Sequence, residues 1–363
     1  MTLVDFSTRD SMTGKDRLMA LTAGQAVDRV PFNPFSLGFS ARLYGVDRGQ
    51  FYRNPDVAFA AGMHLMRQFP WMTFRPAYGW ADRGAWEFGG RICWPDGDRY
   101  SAPFSPEAVI TTPQELDSLP DPDPESCGMN PLARRFNELC REHGFPASLP
   151  GGTPTTMSAA ILGKSRFLNW MIRYPEVVHK LQRKVTDFLI HSAELTINKY
   201  GGPNCSVLCA VPMESNQLIS AKMFESFCKP YIGEIMDYYA SEGVKSVVVH
   251  LCGDHTANLS HWANIPVPRR AVFSVGKEMD LDETGVFLGK DYVLAGNLDS
   301  SILQFGSADQ VKDEVKRCLQ SGMKHPGGFV LMPACEIPPD MPLETVSAIA
   351  EALFEHGYYT EDR

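Results

Sequence analysis

The sequence predicts an α/β fold and, within that class, a (β/α)8 barrel with an N-terminal extension and covering loops. Strand-like and helix-like segments alternate through the C-terminal half. About eight such units fit the chain, as a barrel requires. A doubly wound open sheet is the second choice, because no GxGxxG or GxxxxGK[ST] motif follows a strand. We expect a single domain over residues 1–363, with residues 1–29 forming a helical extension.

The elements of the C-terminal half follow from short β-branched runs and from helical periodicity. Strands are predicted at 206–211, 246–250, 271–275, 292–295 and 329–332, and helices at 220–242, 309–321 and 343–355. Alternating elements of this kind are typical of βαβ units and of a parallel sheet.

The N-terminal half is less regular. A helix is predicted at 14–23, a first strand at 30–33, a proline-rich turn at 120–124, a helix at 132–143 and another strand start at 147–149. The stretch from Trp71 to Trp94 is rich in tryptophan and glycine and indicates hairpins or covering loops. No internal repeat or low-complexity segment is visible.

Composition excludes several classes of function. The net charge is −9 and there is no long basic run, so neither nucleic acid nor an anionic membrane is an expected partner. No apolar stretch reaches the length of about 18 residues that a membrane span needs. The nine cysteines have no framework of spacings, and the N-terminus lacks the apolar core of a signal peptide. We therefore expect reduced thiols and a cytoplasmic protein.

The stretch "SVVVHLCGDH" places a histidine and a cysteine at the end of an apolar strand. His250 and Cys252 are two residues apart and should point the same way. Cys335 ends another strand, and in a barrel the C-terminal strand ends form the active face. One imidazole and two thiolates suit zinc, and three protein ligands leave a position for a substrate atom. Ordinary packing of the cysteines stays open at this point. His255 is a further candidate ligand, although a surface or supporting position is the favoured interpretation.

Six segments carry a family resemblance over nearly the whole chain: "MTGKDRLMALTAGQAVDRVPFNP", "GGTPTTMSAAILGKSRFLNWMIRYPEVVHKL", "ESNQLISAKMFESFCKPY", "VVVHLCG", "AGNLD" and "CEIPPDMP". Their order and spacing resemble the uroporphyrinogen decarboxylase-like superfamily. Within it, they resemble the corrinoid-dependent methyltransferases, such as the methylcobamide:coenzyme M methyltransferases.

The resemblance implies a zinc site at His250, Cys252 and Cys335. It also implies a corrinoid, methylcobalamin, carried by a partner protein. In one direction, a zinc-bound thiol acceptor loses its proton and takes the methyl group from methyl–cobalt(III). In the other, an O-demethylase transfers a methyl group from a methoxylated aromatic substrate to cobalt(I). Aromatic pocket walls would favour the second direction, although core or loop packing is their commoner role. The candidates are Phe32, Phe35, Phe39, Tyr78, Trp80 and Trp86.

The resemblance departs from the decarboxylases at the N-terminus. They carry an arginine-rich RQAGR motif, where this chain has "NPFSLGFSARLYG". Arg42 alone does not provide the cluster that a porphyrinogen with eight carboxylates requires, so decarboxylation is not expected. A non-catalytic barrel with a structural or sensory metal site is the remaining alternative.

Three further residues are candidates for catalysis: Glu214, Asn297 and Asp299. Glu214 and Ser215 follow the 206–211 strand, where the family often has Asp-Pro and this chain has Val211-Pro212. Glu214 is interpreted either as a fourth ligand or general acid, or as a solvated carboxylate at a helix start. Asn297 and Asp299 in "GNLD" resemble pocket residues of the family, with loop hydrogen bonding as the alternative. Glu336 is predicted to support a ligand and not to be one.

Overall fold

The structure is a computed structural model, and it describes residues 9–96 and 100–359. Six strands form one parallel sheet in the order β1-β2-β3-β4-β5-β6. They are β1 Ala147–Ser148, β2 Cys205–Ala210, β3 Ser246–Leu251, β4 Val272–Val275, β5 Val293–Leu298 and β6 Phe329–Pro333. The strands predicted for the C-terminal half are confirmed, with ends that shift by a few residues.

Helices separate the strands. The α-helices are α1 Gly14–Thr22, α2 Gly38–Tyr44, α3 Arg48–Arg53, α4 Pro55–Gln68, α5 Asn130–Glu142, α6 Pro154–Leu162, α7 Lys164–Arg173, α8 Pro175–Tyr200, α9 Ala221–Met223, α10 Lys229–Ser241, α11 Leu259–Trp262, α12 Leu281–Leu288, α13 Ser300–Phe305, α14 Ala308–Gly322 and α15 Leu343–His356. Short 3₁₀ turns lie at Pro113–Ser118, Gly202–Asn204, Thr256–Asn258 and Gly289–Asp291. No helix in these described ranges is long and apolar enough to cross a bilayer.

The predicted helix at 220–242 is interrupted. The short helix α9 passes into a π-helical segment, Phe224–Cys228, and α10 begins only at Lys229. Pro230 has no backbone N–H and cannot donate to the carbonyl of the preceding turn. The wider π-helical turn lies directly before this proline, where the regular hydrogen-bond ladder has to break.

The predicted first strand at 30–33 runs beside β6. The Asn33 N–H donates to the Leu331 carbonyl at 3.0 Å, and the Leu331 N–H donates to the Pro31 carbonyl at 2.9 Å. On the other side of this segment, the Thr73 N–H donates to the Phe32 carbonyl at 2.7 Å. The 31–33 segment therefore continues the parallel pairing beyond β6, and one hydrogen bond joins Thr73 to it. The described part of the chain shows six named strands, so the count of about eight units stays a prediction.

The chain divides into two compact units. Among the described residues, the central unit comprises 47–59 and 78–268, and the terminal unit comprises 9–46, 60–77 and 269–359. A single domain over residues 1–363 stays a prediction. Of the predicted extension at 1–29, residues 1–8 lie outside the described part of the chain, and α1 forms the helix within it.

In the central unit, β2 and β3 pair in register from Ser206 opposite Ser246 to Ala210 opposite His250. The strand residues Val207 and Val247 are buried, as expected for a parallel sheet covered on both faces. Helix α6 is buried along its whole length, and the Thr153 side chain caps it by accepting from the Thr156 N–H.

In the terminal unit, β5 and β6 pair from Leu294 opposite Phe329 to Leu298 opposite Pro333. A buried ion pair holds α1, because Arg17 Nε lies 2.6 Å from the Asp28 carboxylate. Burial opposes the charge of Asp28, but the Arg17 guanidinium outweighs it and lowers the pKa of Asp28 to about 2. Each unit thus contains paired parallel strands with buried side chains.

Candidate metal centre

Strand β3 carries two of the candidate ligands at its C-terminal end. His250 is 3% exposed and lies opposite Ala210 of β2, and Cys252 directly follows the strand and is half-buried. The Cys252 N–H donates to the His250 carbonyl at 3.1 Å, so the chain turns at once after the strand. The next residue, Gly253, has a φ of +89°, which a glycine adopts without steric cost.

Cys335 follows β6. The Ala334 N–H donates to the Leu298 carbonyl at 2.8 Å and so extends the β5–β6 ladder up to this cysteine, whose side chain is exposed. The ligand atoms of His250, Cys252 and Cys335 all lie within 4.8 Å of one another. The structure thus brings together the three residues that the sequence predicts as metal ligands.

The loop after β2 holds the turn that bears Cys252. The backbone carbonyl of Asp254 accepts from the Asn216 N–H at 2.7 Å and from the Ser215 hydroxyl at 3.1 Å. A Cβ atom at Gly253 would come within 2.8 Å of Ser215 Oγ and 2.7 Å of Gln217 Oε1. Glycine is therefore required both for the backbone conformation and for the close approach of the two loops.

His255 also contacts the segment that follows β2. It is fully buried, so a surface position is wrong. One ring nitrogen, Nε2, lies 3.1 Å from the Val211 carbonyl. Burial lowers the pKa of His255 to about 4, which keeps the imidazole neutral at physiological pH. Asn258 extends the support by donating to the Glu214 carbonyl at 2.9 Å. The ring of His255 thus braces the loop from inside the protein.

Glu214 is also fully buried, and the interpretation as a solvated carboxylate is wrong. Its carboxylate accepts a short hydrogen bond from Thr153 and one of 3.2 Å from Thr156, at the N-terminus of α6. Burial raises the pKa of Glu214 to about 7, although both threonine hydrogen bonds oppose the shift. A carboxyl group in this environment holds a proton up to neutral pH.

Asn297 and Asp299 both make hydrogen bonds within the terminal unit. The Asn297 amide donates to the carbonyls of Gly276 and Met279 at 3.0 and 2.9 Å. Its oxygen accepts from Arg317 at 3.1 Å. Asp299 caps α13 by accepting from the Ser301 N–H at 2.7 Å, and it pairs with Lys277 at 2.9 Å.

Arg317, which contacts Asn297, is not among the residues that the sequence predicts for the site. Its pKa is raised above its ordinary value by the hydrogen bond to Glu314, although burial opposes this. The two residues lie three apart on α14, and this Glu–Arg spacing is the signal that could have identified the pair.

Four of the six candidate pocket walls, Phe32, Tyr78, Trp80 and Trp86, pack against other aromatic rings. Phe32 and Phe39 are buried, and Phe32 stacks on Trp71 with ring centroids 5.5 Å apart. In the central unit, Tyr78 stacks on Phe136 at 5.2 Å, and Trp80 stacks on Trp86 at 6.2 Å. These contacts agree with the packing interpretation of such residues.

Strand-end histidine and cysteine side chains on a parallel α/β scaffold define the class of protein: a barrel-type α/β protein with a candidate soft-metal centre. The chain belongs to the uroporphyrinogen decarboxylase (URO-D) family, whose model matches residues 13–356. The predicted superfamily and the α/β fold of the TIM-barrel type are therefore confirmed.

Two relatives show the range of this family. The methylcobamide:CoM methyltransferase MtaA of Methanosarcina barkeri (strain Fusaro / DSM 804) is 28% identical over 207 residues, which are 56% of each chain. The chain thus spans about half the length of this relative. The uroporphyrinogen decarboxylase of Myxococcus xanthus (strain DK1622) is 25% identical over 268 residues, 72% of each chain. Among solved structures, a methyltransferase from Methanosarcina mazei has a TM-score of 0.77 at 22% identity, covering 95% of this chain and 99% of its own.

Proposed function

We propose that the protein is a zinc-dependent methyltransferase that moves a methyl group between a corrinoid protein and a small-molecule thiol or similar acceptor. The observation that carries the proposal is the convergence of His250, Cys252 and Cys335, whose ligand atoms lie within 4.8 Å of one another. The similarity to a protein named methylcobamide:CoM methyltransferase supports the choice of reaction.

The donor set fits zinc. Bond lengths of about 2.3 Å to sulfur and 2.0–2.1 Å to nitrogen place one nitrogen and two sulfur ligands of a tetrahedral site roughly 3.5–3.8 Å apart. Atoms already within 4.8 Å of one another reach this spacing through small side-chain movements. Three protein donors leave the fourth tetrahedral position for a substrate atom, which distinguishes a catalytic site from a closed structural one.

A zinc ion held there would lower the pKa of a bound thiol, so that a thiolate exists near neutral pH. The residues of this chain hold the proposed ligands in position. The contacts of Ser215 and Asn216 with Asp254 orient the turn that bears Cys252. The ladder from Leu298 to Ala334 does the same for Cys335. Such orientation matters because methyl transfer by in-line displacement requires the acceptor and the methyl group to be aligned.

Glu214, Asn297 and Asp299 enter the proposal as positioning residues. Each side chain is hydrogen-bonded to neighbouring groups: Glu214 to the start of α6, Asn297 to the loop after β4, and Asp299 to the start of α13. The carboxyl group of Glu214 joins the N-terminus of α6 to the loop after β2, since it accepts hydrogen bonds from both Thr153 and Thr156.

A methyl-transfer assay with free methylcobalamin tests the proposal. Coenzyme M, other thiols and tetrahydrofolate serve as acceptors, and methoxyaromatics with cobalt(I) serve as donors for the opposite direction. We expect one zinc per chain and thiol-dependent loss of methylcobalamin, abolished by chelation and restored by zinc. Zinc-dependent demethylation of a methoxyaromatic would instead assign the O-demethylase direction. Decarboxylation of uroporphyrinogen by the metal-free protein, without methyl transfer in either direction, would refute the proposal.

A further inference from the structure

The carboxylate of Glu336 binds two backbone N–H groups of an N-terminal segment. Its Oε1 atom accepts from the Gly38 N–H at 2.7 Å and from the Leu37 N–H at 3.1 Å, at the start of α2. The N-cap residue, Leu37, has no side-chain acceptor for the free N–H groups at this end of the helix. Glu336 supplies an acceptor from almost 300 residues away in sequence, and a charged acceptor of this kind makes strong hydrogen bonds.

Two more contacts join the same segments, which we call the 35–38 segment and the 335–339 loop. The Ile337 N–H donates to the Phe35 carbonyl at 3.1 Å. At Gly38, an added Cβ atom would come within 2.7 Å of Pro339 Cγ and 3.0 Å of its Cβ. The close approach thus depends on the absence of a side chain at position 38.

We propose that Glu336 is a positioning residue for Cys335, and that the 35–38 segment is the support to which it fixes the 335–339 loop. This inference rests on the proposed function, because it takes Cys335 as a ligand. It assigns a role to "NPFSLGFSARLYG", the stretch in which this chain lacks the arginine-rich motif of the decarboxylases.

The physical argument starts from the exposure of the Cys335 side chain. Burial in a core does not fix its position, and contacts made by its two neighbours in the chain contribute to fixing it. On the N-terminal side, the Ala334 N–H is held by the Leu298 carbonyl at 2.8 Å. On the C-terminal side, the side chain of the neighbouring residue Glu336 accepts two hydrogen bonds from the 35–38 segment. Together they fix the path of the peptide through Cys335 before a metal binds, and preorganised ligands bind metals more tightly.

Zinc affinity tests the inference, measured by competition with a chromophoric chelator on the full chain. Glu336→Ala removes both hydrogen bonds, and we expect zinc to bind about 10- to 100-fold more weakly. Glu336→Gln keeps a carbonyl oxygen that accepts from both N–H groups, so we expect it to restore most of the affinity. Gly38→Ala disturbs the same contact through the 35–38 segment. Its new Cβ atom would collide with Pro339, so this variant should also weaken zinc binding.

Thr13→Ala is the matched control, because it removes the cap of α1 in the same unit without touching the 335–339 loop. It should lower the midpoint of urea unfolding and leave zinc affinity unchanged. Cobalt(II) substitution gives a second readout, because the sulfur-to-cobalt absorption reports how many thiolates bind. We expect this absorption to fall in Glu336→Ala and to recover in Glu336→Gln.

The outcomes separate the inference from the proposed function. If the unmodified protein binds no zinc, the proposed function fails. If it binds zinc with the same affinity and the same cobalt spectrum as Glu336→Ala, while Cys335→Ala does not bind, the ligand assignment holds and the inference is overturned. Equal losses of zinc affinity in Thr13→Ala and Glu336→Ala would also overturn it, since they would indicate a general effect of lower stability.

Discussion

The hydroxyl of Thr156 donates a hydrogen bond of 3.2 Å to the carboxylate of Glu214, and that carboxylate is fully buried. Thr153, the cap of α6, donates to the same carboxylate. The ionised form of Glu214 is therefore hydrogen-bonded but poorly solvated, and burial is the larger effect, with the pKa raised to about 7.

This relationship predicts a pH dependence of stability. Because the folded pKa of Glu214 exceeds its ordinary value of 4.5, the folded state favours the protonated group. The corresponding stability is present in full below pH 4.5 and is lost as the pH rises through about 7. The cost at pH 8 is about 3 kcal/mol. We expect Glu214→Gln to remove this loss, which urea unfolding from pH 5 to 8.5 would measure. Glu225→Gln, at an exposed carboxylate of the same unit, is the control, and an equal flattening of its pH profile would contradict the prediction.

Removal of a ligand thiol is expected to separate metal binding from folding. Because Cys335 is exposed, Cys335→Ala should change the free energy of unfolding of the metal-free protein by no more than about 0.5 kcal/mol. It should nevertheless abolish stoichiometric zinc binding and methyl transfer, since two donors do not hold zinc tightly. Metal analysis after dialysis provides the measurement, with Cys93→Ala as a control that keeps all three ligands. Full zinc content in Cys335→Ala would refute the ligand assignment.

The amide of Asn297 is expected to contribute mainly to stability. Asn297→Ala would leave the buried carbonyls of Gly276 and Met279 without their donor, which costs about 2–4 kcal/mol in urea unfolding. Asn264→Ala is a suitable control, because Asn264 is exposed and its amide makes only a local hydrogen bond to the Ser260 carbonyl. A loss below 0.5 kcal/mol in Asn297→Ala, on the order of an ordinary surface substitution, would show that these bonds contribute little.

Gly253→Ala should cost more than its backbone conformation alone explains. The φ of +89° costs about 1 kcal/mol for alanine, and the new Cβ atom would collide with Ser215 and Gln217 as well. Gly144→Ala is the matched control, because Gly144 has a φ of +77° but no atom near its Cβ position. We expect Gly253→Ala alone to weaken zinc binding as well, since it displaces the turn that bears Cys252. Equal unfolding free energies and zinc affinities in the two variants would contradict this.

Much of the fold was predictable because its signals are local. The valine run before His250 and the apolar run before Cys335 identify buried strands directly, and the boundaries of α14 and α15 follow from helical periodicity. The break before α10 was not predicted, although Pro230 was visible. Strands were predicted near β1 and at 30–33, but their exact extents depend on hydrogen-bonding partners that are distant in sequence.

The sequence by itself determined which histidine and cysteine side chains are candidate metal ligands, their places at the ends of strands and the family to which the chain belongs. Only the tertiary structure decided that Glu214 and His255 are buried and that Glu336 is bound by the backbone of α2. The physical reason is that a residue's type and its neighbours along the chain act through local propensities. Desolvation and hydrogen-bond partners depend on segments that folding brings together from far apart.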